Sequence, residues 1–228
     1  MDDILIQVNR ECSEIEEKFK IINRPLSIND LKYLKKIIVH LLFIKYMFFS
    51  EEDNIFYKLL ILDLVSSLSS LLKEDERLFY MYSRSSIEMF YNISIHDKYF
   101  NKLNMEADGY YKAKKSFNNK ISHLKKFKFT TEFKKLNEIY GDLSNQIHGS
   151  ANIPTELGPY ISSYIAKDDF KNKEKITNAL IILEKLTLMY SYFFVNSPSM
   201  KATRENSFYK KKDMWHYFKS QINENHEI

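Results

Sequence analysis

Apolar residues recur along this chain at spacings of three and four over stretches far longer than a strand, which is the pattern of amphipathic and buried helices. Residues 3–22 carry Ile4, Val8, Cys12, Ile15 and Phe19 on one stripe, so a first helix is expected there. Pro25 disfavours helical backbone at Arg24 and ends it. Ser27 followed by Asp30 has the form of a capping box, opening a second helix to about residue 49. Ser50 with Glu51, Glu52 and Asp53 is a second start signal, an N-cap followed by acids that complement the helix dipole, for a helix over 51–72. The small serines of "LVSSLSSLL" in that helix point to close approach of a neighbour. After the polar joint "KEDER" a fourth helix is expected over 77–95. One short and one longer helix, parted near Asp108–Gly109, fit residues 98–127. Further helices are expected at 131–148 and 169–195, with a basic, aromatic C-terminal helix over about 206–222. The pattern predicts an all-α fold: a single-domain antiparallel bundle of about seven to nine helices over residues 1–200, followed by a basic aromatic tail at 201–228.

Composition narrows this picture. Hydrophobic residues are 44% and charged residues 28%, which is globular rather than disordered usage. Only 4 Gly and 4 Pro occur in 228 residues, too few for the tight turns of a sheet protein. A single cysteine, Cys12, excludes an internal disulfide and a cysteine-based zinc cluster. The N-terminal stretch is acidic and amphipathic, unlike a secretion signal. The most apolar run, 37–49, is too short to span a bilayer and contains His40 and Lys45. A soluble cytoplasmic protein with no membrane partner is the expectation. The net charge of +4 is too mild to imply nucleic acid by itself.

Two local anomalies stand out. The first is "YGDLSNQIHGS" (140–150), in which Tyr140, Ser144 and His148 fall four apart on one helical stripe. Three of the four glycines and two of the four prolines lie between 141 and 159. A helix C-cap explains Gly149, but Gly141 lies inside the helical pattern, where it costs about 1 kcal/mol relative to Ala. Close packing against another helix would offset that cost. The second anomaly is "MYSRSSIEMFYNI", whose stripe Met81, Arg84, Glu88, Tyr91, Ile95 puts two charges in the middle of a core-facing seam. An Arg placed N-terminal to Glu is the weaker orientation for a surface pair, so pairing across helices is expected. Such a pair either braces the bundle or marks a site. If the two helices meet, Tyr140, Ser144, His148, Arg84 and Glu88 form one polar constellation. His148 would then suit a general acid/base acting on a 2′-hydroxyl, and Arg84 would suit stabilisation of developing phosphorane charge.

An Arg-x3-Glu in one apolar helix, followed by Tyr-x2-Leu-Ser-x3-His in another, resembles HEPN-like bacterial proteins; the matching residues are Arg84, Glu88, Tyr140, Leu143, Ser144 and His148, within about 50–195. The resemblance implies an all-α bundle, often dimeric, in toxin–antitoxin, abortive-infection or other antiviral defence systems. Many members are metal-independent ribonucleases, and others are inactive or bind nucleotides. Nuclease members carry Arg-x(4–6)-His on one helix. Here Gly141, Asp142 and Leu143 stand where that arginine would be, so Arg84 would have to supply the charge from another helix. The resemblance implies a homodimer, no cofactor and no metal.

A lysine-rich stretch, 110–129, holds seven lysines, no acid and interleaved aromatics. Lys112, Lys114, Lys115, Lys125 and Lys126 are the candidate RNA contacts, with phosphates on the lysines and bases on the rings. The alternative is a solvated face over core aromatics. The tail "SFYKKKDMWHYFKS" repeats this chemistry, or packs a partner subunit through Trp215 and Tyr217. No phosphate loop, HExxH or GxSxG occurs, and the histidines other than His148 lack metal-ligand spacing. Two readings remain: a defence ribonuclease, and a non-catalytic helical module that binds a partner protein or nucleotide.

Overall fold

Ser27 and Asp75 supply side-chain caps at the starts of two helices, accepting from the Asp30 and Leu78 N–H groups. A computed structural model describes residues 2–48, 55–95, 109–122, 129–148, 173–197 and 200–226. Among the described residues every regular element is a helix: α1 (Asp2–Ile21), α2 (Ile28–Met47), α3 (Ile55–Leu72), α4 (Glu76–Ile95), α5 (Tyr110–Ser122), α6 (Phe129–His148), α7 (Lys173–Asn196), α8 (Lys201–Phe208) and α9 (Lys212–His226). The expected all-α bundle is therefore the observed class. The start expected at Ser50, the short helix before Asp108 and the Gly- and Pro-rich loop after His148 lie outside the described residues.

At the head of α2 the capping box forms as expected. The Asp30 N–H donates to Ser27 Oγ at 3.2 Å, and the Ser27 N–H donates to Asp30 Oδ2 at 2.9 Å. The other carboxylate oxygen, Asp30 Oδ1, accepts from Thr177 Oγ1 of α7 at 2.7 Å, so one residue caps α2 and ties it to a distant helix. Lys36 then pairs with Glu184 at 3.7 Å, and Phe48 meets Phe194 with ring centroids 5.0 Å apart. These successive contacts make α2 and α7 parallel neighbours. On its other side α2 pairs with the antiparallel α1, where the Tyr46 hydroxyl donates to Gln7 Oε1 at 2.9 Å. A helix covered on both sides is apolar nearly all round, which is why 37–44 is an unbroken buried run.

The serines of α3 do face a close neighbour. α3 and α4 form an antiparallel hairpin across the joint 73–75, with Ser67, Ser70, Ser83 and Ser86 buried and Ser83 Oγ donating to Ser67 Oγ at 3.1 Å. The joint turns through Glu74 at φ 62°, and α1 ends through Asn23 at φ 57°. Arg24 bonds Glu74 at 2.9 Å, so the two left-handed turns are joined by one ion pair.

The C-terminal segment is two helices, not the single one expected over 206–222. Phe208, Trp215 and Phe218 all converge on Phe43, at centroid distances of 6.1, 6.4 and 5.6 Å. In a straight helix residues 208 and 218 would stand about 15 Å apart along the axis, beyond the reach of one ring. The break at 209–211 brings them together. Phe208, Phe218 and Ile222 belong to the same buried core as α2 and α7. Trp215 and Tyr217 are half-buried against that core.

α7 is the one described helix long and apolar enough to cross a bilayer by length and composition. Its Leu180, Leu183, Leu186, Tyr190 and Phe194 are fully buried, the burial of a central core helix.

His40 sits in this core with no exposure, and neither ring nitrogen has a hydrogen-bond partner. Burial, reinforced by the Lys36 charge, pushes its pKa down to about 3 from 6.5. The unfolded chain therefore takes up a proton below pH 6.5 that the folded chain refuses. Stability from this residue is present above pH 6.5 and is lost as pH falls toward 3, by about 1.4 kcal/mol per pH unit. Urea titrations at pH 7 and pH 5 should show that loss, and His40→Leu should flatten the slope between them.

Candidate functional site

The face of α4 that looks away from α7 meets α6, and the two polar anomalies of the sequence meet there. Arg84 Nε donates to Tyr140 Oη at 3.0 Å. The Tyr140 hydroxyl in turn donates to Glu88 Oε1 at 2.9 Å. Arg84 Nη2 lies 3.4 Å from the same Glu88 oxygen. The expected pairing across helices is thus present, routed through the tyrosine, alongside a direct contact within α4. The Arg84 guanidinium carbon also stands 5.1 Å from the Tyr140 ring centroid. Tyr140 stacks on Tyr110 of α5 with ring planes 1° apart and centroids 3.5 Å apart. Behind the stack, Asn137 Oδ1 accepts from Tyr91 at 2.9 Å and Tyr110 at 3.1 Å.

Electrostatics keep the Arg84 guanidinium and the Tyr140 phenol each in one protonation state. Burial lowers the Arg84 pKa, but the Tyr140 hydrogen bond and the nearby Glu88 charge outweigh it, so the net shift is upward and the guanidinium stays charged. Burial raises the Tyr140 pKa and Glu88 raises it further against the opposing pull of Arg84, so the phenol keeps its proton. Tyr140 is therefore a fixed relay between two charges, not an acid or base near neutral pH.

The pair is not sealed in. Arg84 and Glu88 side chains keep 30% and 28% of their exposure. They line an open cleft of about 350 Å³ with Arg77, Met81, Ser85 and Ile147. Arg77 lies two helical turns before Arg84, so two guanidinium groups border one cleft. Ile147 precedes His148, the last residue of α6, so the helix end that carries the candidate acid/base lies at this cleft. Ser144, one turn after Tyr140, is outside the network: its hydroxyl is buried and makes no hydrogen bond.

Two contributors were not apparent in the sequence. Arg77 extends the α4 stripe one step beyond Met81. Asp63, the lone acid of "LLILDLV" in α3, is 8% exposed and has Oδ2 without a partner. Burial lifts its pKa to about 6; a Ser85 hydrogen bond works against that shift and the Glu88 charge adds to it. A second carboxyl thus sits directly behind the cleft.

The lysine-rich helix α5 buries Tyr110, Ala113 and Phe117 on one side. Lys112 and Lys115 are exposed on the other, beside Tyr111 at 84% exposure. Lys114 lies 5.4 Å from the Tyr110 ring centroid. Lys125 and Lys126 are outside the described residues. No three His, Cys, Asp or Glu side chains gather as a metal site would require among the described residues.

Gly141 does not serve close packing, contrary to expectation: a Cβ placed there meets no neighbouring atom within 4 Å. Gly141→Ala should therefore raise stability by about 1 kcal/mol in chemical denaturation.

The chain matches no protein-family model, no curated protein and no solved structure.

Asp63 supplies a second stability test. Because its folded pKa lies above the unfolded value, its contribution is fully present below pH 3.8 and is lost as pH rises through about 6. Asp63→Asn should stabilise the fold at pH 8 by roughly 1–2 kcal/mol, a figure reduced for partial solvation, with the gain vanishing near pH 4.

Proposed function

We propose that this chain is a HEPN-like, cytoplasmic component of a bacterial defence or toxin system, and that the α4–α6 cleft engages the phosphate backbone of RNA. The observation that carries the reading is the cleft itself. Arg77 and Arg84 border it, Glu88 and Tyr140 orient Arg84, and the C-terminal end of α6 lies beside it. A guanidinium held by a tyrosine and a carboxylate is pre-oriented, so little side-chain freedom is lost when a phosphate binds. In this reading His148 is the acid/base for metal-independent cleavage at a 2′-hydroxyl, and Arg84 stabilises the charge that develops on phosphorus. Lys112 and Lys115, exposed on the neighbouring α5, would extend the track for the strand. A homodimer belongs to the same proposal. α3 leaves Leu59, Leu62 and Val65 exposed and α4 adds Met81, an apolar face that suits a second copy.

The second reading, a non-catalytic module that binds a partner protein or nucleotide, draws on a different observation. Tyr140 satisfies Arg84 and Glu88 together, as a brace would.

His148→Ala and Arg77→Ala separate the two. Under the nuclease reading both lower RNA cleavage or cellular toxicity by roughly 100-fold or more, as expected for loss of a general acid/base or a phosphate contact. Melting temperatures should stay within about 2 °C of wild type. Wild-type cleavage at background level, or full cleavage by His148→Ala, would leave the binding module as the surviving interpretation.

A further inference from the structure

The convergence of α8 and α9 on Phe43 leaves one aromatic ring behind. Phe208, Trp215 and Phe218 turn inward, whereas Tyr209 stays 75% exposed at the corner between the helices. Lys210, Lys211 and Lys212 follow it directly. We propose that this corner binds a single-stranded oligonucleotide, with one base stacked on Tyr209 and neighbouring phosphates on Lys210 and Lys212. This site is separate from the α4–α6 cleft and does not depend on the function assigned there.

Backbone hydrogen bonds and one cation–π contact define the shape of the corner. The Lys211 N–H donates to the Phe208 carbonyl at 3.0 Å, and the Trp215 N–H donates to the Lys211 carbonyl at 3.0 Å. The Lys211 ammonium lies 5.0 Å from the Tyr46 ring centroid, which pins the middle lysine to the core. Its two neighbours are exposed and make no ion pair among the described residues. Inward-facing aromatics bracket the corner, with Phe208 before it and Trp215 after it. A cleft of about 480 Å³ opens at this point, lined by Tyr209, the three lysines, Ile4, Met214, Asp3 and Asp213. That volume falls within the range of small-molecule sites, about 300–1,000 Å³.

Charge and shape select among anionic partners. Three lysines against Asp3 and Asp213 leave the cleft at a net +1 (3 − 2), too little to hold a duplex by its phosphates alone. Binding must then draw on the ring, and an exposed tyrosine offers its face to any unpaired base. An acidic peptide has no use for that face. A lipid surface would require the apolar side of α9, but Phe218 and Ile222 are buried in the core. The two carboxylates at the rim also disfavour a dense array of phosphates, consistent with a strand that touches the protein at one or two.

The test is fluorescence anisotropy with labelled oligouridine and oligothymidine of roughly eight nucleotides, a duplex of equal length, and anionic phosphatidylserine vesicles as competitors. Wild type should bind one or both single strands, and a preference between them would identify ribose or deoxyribose as the strand read. Tyr209→Ala should weaken binding about 10-fold. Lys210→Ala and Lys212→Ala should each reduce the slope of log affinity against log salt by about 0.7. Each variant is measured in the Arg77→Ala background as well as in the wild type, so that strand binding lost with Arg77 is charged to the α4–α6 cleft and binding lost with Tyr209 to this corner. The substituted side chains are exposed, and circular dichroism confirms that each variant folds. No binding by wild type, unchanged binding by Tyr209→Ala, or equal capture of duplex or vesicles would overturn the proposal.

Discussion

The stack of Phe90 on Tyr190, with centroids 4.5 Å apart and planes 19° from parallel, is the contact on which the rest of the bundle turns. The same Phe90 ring meets the edges or faces of Phe117, Phe193 and Phe194 within 5.7 Å, so α4, α5 and α7 share one aromatic centre. Ser86, one turn earlier, hydrogen-bonds the Tyr190 hydroxyl at 3.0 Å and adds a polar pin to the apolar stack. Together they fix the rotation of α4 about its axis. Glu88 lies two residues from Phe90, about 200° around the helix. Locking Phe90 inward therefore forces Glu88 outward, toward α6. The polar cluster follows from an apolar constraint on the opposite side of the same helix.

That geometry places charge where the surroundings are poorly suited to it. A carboxyl at Asp63 with an unsatisfied oxygen, a second carboxylate at Glu88 and a guanidinium between α4 and α6 all sit at the boundary of an otherwise apolar bundle. Desolvation consumes most of what an ion pair gains in such a setting, so the cluster contributes little to stability. Its effect is orientation. With Tyr140 donating to Glu88 and accepting from Arg84, the guanidinium has a fixed plane and a fixed charge. The proposed RNA chemistry rests on that fixity.

Much of the architecture was legible in the sequence because period and capping are local signals. The Ser27–Asp30 box, the buried stripe of α1 and the joint before α4 appear where the residues place them. The meeting of Arg84 with Tyr140 was readable as well, since charges on a core-facing stripe need a polar partner on a neighbouring helix. Other features depend on tertiary facts that no window of sequence contains. The break between α8 and α9 has no glycine or proline to announce it; it exists because three aromatics share Phe43. Asp63 reads as one acid in an apolar run until α4 sets Ser85 and Glu88 beside it. Gly141 shows the converse error: a glycine inside a helical pattern suggested close approach of another helix, and the space around it is open.

The parallel pairing of α2 and α7 has a consequence for how the chain reaches this state. Asp30 bonds a residue 147 positions away, and Ser207 reaches the Met47 carbonyl across 160. The α1–α2 and α3–α4 hairpins can close from local contacts within microseconds to milliseconds, whereas α2 cannot bury its second face until α7, α8 and α9 have been made. At a synthesis rate of about 5–20 residues per second, that face of α2 is unprotected for roughly ten seconds or more during translation. The exposed run would be 37–44, among the most apolar of the chain. The nascent protein thus exposes an aggregation-prone segment for a window set by topology rather than by stability.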